Sequence, residues 1–230
     1  MDAQEKEQRR GHGSPETRIK ICGVTTKEAA DTAIAAGCDF LGCVFYPKSP
    51  RNITPQEAAE LMAHCPARVR TVAVCVDPDG ATLEQIMHRF APDMLQLHGQ
   101  ESPAYVSEVH RRYGVEVIKA ISVSTRAEVR AALAYAAVAQ WMLFDAKPAP
   151  GSALPGGNGE AFDWSVLEEL QPMSLDVPWM LSGGLNAQNV QQAVRATQAP
   201  AVDVSSGVES APGIKDIDKI REFCNNVRHV

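Results

Sequence analysis

The chain has 230 residues, 45% of them apolar and 22% charged, with a formal net charge of −6 at pH 7. That length carries one large domain or two small ones around a full core, and the acidic balance argues against a general nucleic-acid binder while leaving room for a locally positive pocket that takes a small anion. No run is long enough to span a bilayer, and six cysteines without a Cys-x-x-Cys pair, mostly inside apolar runs, suit a reducing cytoplasm better than a disulfide framework.

Residues 1–17 lack the apolar stretch of a signal peptide and read as a polar, disordered tail. From Arg18 onward, short apolar runs alternate with amphipathic stretches of helical period. The first strand is Arg18–Cys22; its helix, Thr26–Ala36, has Thr25 or Thr26 as cap and Gly37 as stop. The second strand is Phe40–Phe45, with helix Pro55–Ala63 behind the cap Thr54. Arg70–Val76 and Ala81–Phe90 form the third unit, and Met94–Leu97 with Pro103–Tyr113, capped by Ser102, the fourth. The fifth pairs Val115–Ala120 with Thr125–Ala137, and the sixth Trp141–Asp145 with Trp164–Leu170, capped by Asp163. The seventh pairs Trp179–Ser182 with Ala187–Thr197, capped by Asn186, and the eighth Ala201–Val204 with Ile214–Val227.

Eight strand–helix units with nearly continuous apolar strands predict an α/β fold, a single-domain (β/α)8 barrel over residues 18–230. An open doubly wound sheet is the rival, but no Gly-x-Gly-x-x-Gly follows the first strand. The Gly/Pro-rich stretch Lys147–Gly159 is long for a loop inside a compact domain, and loops of that length are commonly functional.

In such a barrel the active site lies at the C-terminal ends of the strands. The loops after strands seven and eight, with Gly183, Gly184, Ser205, Ser206 and Gly207, fit a phosphate site of backbone N–H groups and hydroxyls; the same glycines would also serve plain tight turns. Arg51, in the loop after strand two, can hold a carboxylate through two parallel hydrogen bonds, although a single loop arginine is often just solvated. Gln96 and His98 stand at the end of strand four, and His98 fits either acid–base work or a structural place in its loop.

Cys22 closes the first strand, where a cysteine is commonly an inert core residue. A thiol is a modest base that a nearby cation makes stronger, and the cationic sequence neighbour is Lys20, whose reach strand alternation leaves open. Asp145 closes strand six, and a carboxylate there must be solvated, paired or used; in a partly dry site it suits a general acid. Asp203 could share that work or bind a substrate amine. No His/Cys/Asp cluster has metal-ligand spacing.

With these residues laid out, the chain resembles the phosphoribosylanthranilate isomerases of tryptophan biosynthesis. The matching segments are Lys20-Ile21-Cys22-Gly23, Ser49-Pro50-Arg51, Leu95-Gln96-Leu97-His98-Gly99, Asp145, Gly156-Gly157-Asn158-Gly159 with Phe162-Asp163-Trp164, Leu181-Ser182-Gly183-Gly184-Leu185 with Asn189-Val190, and Val202-Asp203-Val204-Ser205-Ser206-Gly207-Val208-Glu209 with Pro212-Gly213-Lys215-Asp216. The resemblance implies an Amadori rearrangement of a small-molecule substrate, N-(5-phosphoribosyl)anthranilate, without cofactor or metal, in a cytoplasmic monomer or homodimer that needs neither nucleic acid nor membrane. It implies Cys22 as general base and Asp145 as general acid, on opposite sides of the sugar. Arg51 would meet the anthranilate carboxylate, Asp203 would line the anthranilate pocket, and Gln96 and His98 would contact substrate. Gly157, Gly183, Gly184, Ser205, Ser206 and Gly207 would hold the phosphate. The chain departs from the family in Gly159-Glu160-Ala161-Phe162, where Gly-Lys-Thr-Phe is common. The nearest rivals are the histidine-pathway and dual-substrate isomerases of the same fold, which carry aspartate where Cys22 stands; a non-catalytic phosphate-binding barrel is the rival from another class.

Overall fold

The computed structural model describes residues 16–147, 163–173 and 176–230. Within them, eight parallel strands close into a barrel in chain order: β1 Arg18–Cys22, β2 Phe40–Phe45, β3 Arg70–Cys75, β4 Met94–Leu97, β5 Glu116–Val123, β6 Trp141–Ala146, β7 Trp179–Leu181 and β8 Ala201–Val204. Pairing of β1 with β8, Lys20 opposite Asp203, shuts the ring. The expected (β/α)8 architecture is the observed one.

The helices between strands start where side chains satisfy the free N–H groups of the first turn. Thr26 caps α1 (Lys27–Ala35), Thr54 with Glu57 forms a capping box on α2 (Pro55–Met62), and Asp79 caps α3 (Gly80–Arg89). Ser102 caps α4 (Pro103–Tyr113), and Thr125 with Glu128 boxes α5 (Arg126–Ala132). Sequence and structure part company in the last units. α5 stops at Ala132 and tightens into a 3₁₀ turn through Tyr135. The stretch after β6 is 3₁₀ from Trp164 to Met173. Helix α6 begins at Val190, because the Asn186 carboxamide accepts from the backbone of Gln188 and Asn189 and holds a turn first. After β8, a 3₁₀ turn at Ser206–Val208 and a small hairpin, β9 Glu209–Ala211 with β10 Ile214–Lys215, precede α7 (Ile217–Arg228), which Asp216 caps.

Strand alternation sorts the core into two layers. One set of staves' side chains packs outward under the helices; Ile21, Leu41, Val117, Phe144 and Val202 belong to it. The other set fills the barrel itself, where Phe40 meets Trp141 edge-on at 5.5 Å and the Arg18 guanidinium lies over the Trp141 ring. The inward set turns polar toward the strand ends: Lys20, Gln96, Asp145, Ser182 and Asp203 are all buried there. Buried polar groups of this kind are costly unless paired or used. No helix among the described residues is long and apolar enough to cross a membrane.

Candidate active site

The polar strand ends form two groups across the mouth of the barrel. The first gathers on β1, β2 and β8. Cys22 is buried at the end of β1, in register with Gly42 of β2. Two residues earlier on the same face of the strand, Lys20 sends its ammonium to Asp203 Oδ1 at 2.7 Å, and the Ser182 hydroxyl donates to Asp203 Oδ2 at 3.0 Å. The Ser205 hydroxyl donates to the Cys22 carbonyl at 3.1 Å, tying the loop after β8 to the end of β1.

Arg51 lies beside this group. Its stem crosses Gly23, where a Cβ would stand 2.5 Å from Arg51 Cδ. Its Nε and Nη2 donate to the two Glu209 oxygens at 2.7 and 2.8 Å, a two-pronged pair buried on both sides. Lys215 adds a second contact to Glu209 at 2.8 Å and donates to the Ser205 carbonyl. Burial works against the Glu209 carboxylate, but Arg51 and Lys215 outweigh it and hold the pKa below its ordinary value.

The second group stands on β4 and β6. Asp145 is buried at the end of β6, and its Oδ1 accepts from the Ala146 N–H at 2.8 Å. His98 Nε2 lies 3.3 Å from Asp145 Oδ2, close but off the line of a hydrogen bond. On the ring's other side, Gln96 Nε2 is 3.3 Å from His98 Nδ1. With Gln96 Nε2 assigned as the donor, Nδ1 is the acceptor and Nε2 is left facing Asp145. Gln96 Oε1 and His98 Nε2 are buried without hydrogen-bond partners. Native interiors leave few such atoms, and here both belong to the mouth of the barrel, where a bound molecule could engage them.

The loops after β7 and β8 meet at a cleft of about 350 Å³ lined by Gly184, Leu185, Asn186, Ser206, Gly207 and Lys219 among others. Gly183 has φ +86°, a conformation that favours glycine, and a Cβ there would stand 2.4 Å from the Ala146 nitrogen. A Cβ on Gly207 would stand 1.9 Å from the Leu185 carbonyl oxygen. The glycines therefore let the two loops approach each other and β6 more closely than side chains allow. The Asn189 side chain, donating to the Gly184 carbonyl at 2.9 Å, fixes the first loop. Gly157 lies outside the described residues, as does Glu160.

The structure thus brings Cys22, Arg51, Asp203 and Ser205 together on one side and Gln96, His98 and Asp145 on the other, with Gly183, Gly184, Ser206 and Gly207 beside them. No hydrogen bond joins Cys22 to Asp145 among the described residues. Sequence reading named Ser182, Glu209 and Lys215 within matching segments but gave them no role, and it missed a further buried pair, Lys119–Glu101. Lys119 left a signal, a charge inside an apolar strand; the partners of Arg51 and Asp203 are set by the fold alone. Among the described residues no group of three or more His, Cys, Asp or Glu side chains is placed to hold a metal ion.

Comparison with known proteins identifies the family of the chain. The family described as N-(5'phosphoribosyl)anthranilate (PRA) isomerase matches residues 19–226. The N-(5'-phosphoribosyl)anthranilate isomerase of Paramagnetospirillum magneticum is 53% identical over 210 residues, covering 91% of this chain and 96% of the relative. That of Paracoccus denitrificans is 49% identical over 205 residues, covering 89% and 94%. The crystal structure of phosphoribosyl anthranilate isomerase from Thermotoga maritima superposes with a TM-score of 0.83 at 36% identity, covering 93% of this chain and all of that one. A phosphoribosyl anthranilate isomerase in complex with reduced 1-(o-carboxyphenylamino)-1-deoxyribulose 5-phosphate gives 0.80 at 34% identity, with 93% of this chain and 100% of that chain covered. By sequence, fold and coverage, this chain belongs to the N-(5'-phosphoribosyl)anthranilate isomerase family, isomerases of tryptophan biosynthesis.

Proposed function

We propose that the chain converts N-(5-phosphoribosyl)anthranilate into 1-(2-carboxyphenylamino)-1-deoxyribulose 5-phosphate with Asp145 as general acid and Cys22 as general base. Asp145 protonates the furanose ring oxygen; the ring C–O bond breaks, and the nitrogen lone pair forms the C1′=N bond of a Schiff base. Cys22 then takes the C2′ proton. The C–H electron pair becomes the C1′=C2′ bond, the imine π pair returns to nitrogen, and the enolamine tautomerises to the ketone. No oxidant is needed, because the aldose carbon is reduced as its neighbour is oxidised.

The observation that carries this reading is the division of the mouth into two groups: a carboxyl group beside an imidazole on one side and a thiol beside an ammonium on the other. Acid and base then address different atoms of one sugar rather than each other. Arg51, fixed by Glu209, meets the anthranilate carboxylate. Asp203 lines the anthranilate pocket, and Gln96 and His98 engage the substrate through their unpartnered atoms. Gly157, Gly183, Gly184, Ser205, Ser206 and Gly207 hold the phosphate, an anchor remote from the reacting carbons whose binding energy positions them. The catalytic domain spans residues 18–230, and the protein works in the cytoplasm as a monomer or homodimer.

The test is turnover of phosphoribosylanthranilate by purified protein, followed as loss of its fluorescence, beside the histidine-pathway substrate. A cysteine base predicts strong preference for the first. Comparable turnover of both would transfer the chain to the dual-substrate isomerases.

A further inference from the structure

A thiol buried at the end of an apolar strand is a poor base, so Cys22 needs a reason to ionise. Lys20 is fully buried inside the barrel, two residues before Cys22 on the same face of β1. A Cβ placed on Gly42, across from Cys22, would stand 3.1 Å from Cys22 Sγ and 3.4 Å from Lys20 Nζ. Thiol and ammonium therefore border the one spot that glycine leaves open. Asp203 Oδ1 anchors the ammonium at 2.7 Å and Ser182 anchors Asp203 through its other oxygen. One carboxylate oxygen leaves an ammonium with two further donors.

We infer that Lys20, fixed by Asp203, is the counter-ion that holds Cys22 as a thiolate during turnover. This rests on Cys22 being the base. A buried ion pair contributes little to stability over an apolar pair of the same volume, so its place beside the thiol is better explained by what it does to the sulfur. The influences on Cys22 are opposed. Burial pushes the thiol pKa up; Lys20 is the largest opposing influence, Asp203 pushes up and Lys215 of β10 pulls down, with the net above the ordinary value. Cys43 of β2 interacts with Cys22 as well. Burial likewise works against the Lys20 ammonium, but Asp203 and then Cys22 outweigh it and keep it charged. Lys20 carries no proton in the cycle. The thiol proton leaves to solvent, the C2′ proton takes its place on sulfur, and the ammonium stays as it was. It is a positioning residue for the base.

The experiment reads the thiol directly. Cys22 is alkylated with iodoacetamide across pH in the full chain, labelling is quantified on its own peptide by mass spectrometry, and the kcat/KM–pH profile is recorded beside it. In Lys20→Met the Cys22 midpoint is expected to move up by about 1 unit or more, the acid limb of kcat/KM to move with it, and labelling of Cys65 to stay unchanged. Lys20→Met/Asp203→Asn leaves no buried charge unpaired; it serves if the single variant fails to fold, and it is expected to show a smaller upward move. An unmoved midpoint in a folded variant overturns the inference, whatever the loss of rate. If Cys22→Ser turns over like the parent, the base assignment fails instead, and the alkylation midpoint still reports on Lys20.

Discussion

Lys119 and Glu101 form a 2.7 Å ion pair on the outer side of the staves, behind the loop that carries His98. Lys119 also donates to the carbonyls of Leu97 and Gly99, which bracket His98, and Glu101 accepts from the Gly99 N–H with both oxygens. The pair thus fixes the backbone on either side of the histidine that faces Asp145. Lys119→Met leaves Glu101 buried without its counter-charge, a loss of about 3–5 kcal/mol. Thermal unfolding of that variant should show a sharply lower Tm. Adding Glu101→Leu should recover much of the Tm but not kcat/KM, because the Gly99 N–H still lacks its acceptor. Full recovery of both would remove the loop-fixing role.

Gly42 marks how closely the thiol and ammonium are packed. A methyl group there meets Cys22 Sγ at 3.1 Å and the Cys22 Cα at 3.3 Å, and overpacking of this kind costs about 1–3 kcal/mol. Gly42→Ala is expected to fold with reduced stability, measured by chemical denaturation, and with a larger loss in kcat than in KM. A variant as active as the parent would mean that Cys22 tolerates displacement.

The fold was legible in the sequence because each barrel strand is buried on both faces and several helices announce their start: Thr26, Thr54 and Ser102 cap as their positions suggest. Helix ends were less legible. Nothing local marks where α5 tightens to 3₁₀, and the hairpin before α7 is held by Lys215 and Gly213 reaching Glu209. Cys22, Asp145 and the glycine loops stood at strand ends, so chain order alone placed them at the mouth. The reach of Lys20 was not decidable from alternation, since either face of β1 could have met the barrel interior. Its pairing with Asp203, 183 residues away, settles that face.

Glu209 sets an acid limit. Its folded pKa lies below the ordinary carboxylate value of about 4.3. Its contribution is therefore present above that value and is lost as pH falls through the folded pKa. Unfolding free energy from urea titrations should drop as pH falls below about 4. Glu209→Gln should be less stable at pH 7, with a shallower acid dependence. An unchanged slope would mean that other carboxylates carry it.

Gly207 tests the anion site. A Cβ there would strike the Leu185 carbonyl oxygen at 1.9 Å, so one of the two loops must move. Gly207→Ala is expected to raise KM by about 10-fold or more, equivalent to about 1.4 kcal/mol of binding, and to weaken competition by inorganic phosphate in parallel. Unchanged phosphate inhibition would place the anchor elsewhere.

The central claim is that one thiol and one carboxylate carry the proton transfers. Its most direct measurement is kcat/KM for phosphoribosylanthranilate with Cys22→Ser and Asp145→Asn, each checked for folding by circular dichroism. General acid–base groups contribute about 10²–10⁴-fold, so each variant should lose at least about two orders of magnitude while remaining folded. Parent-like turnover by both would contradict the account.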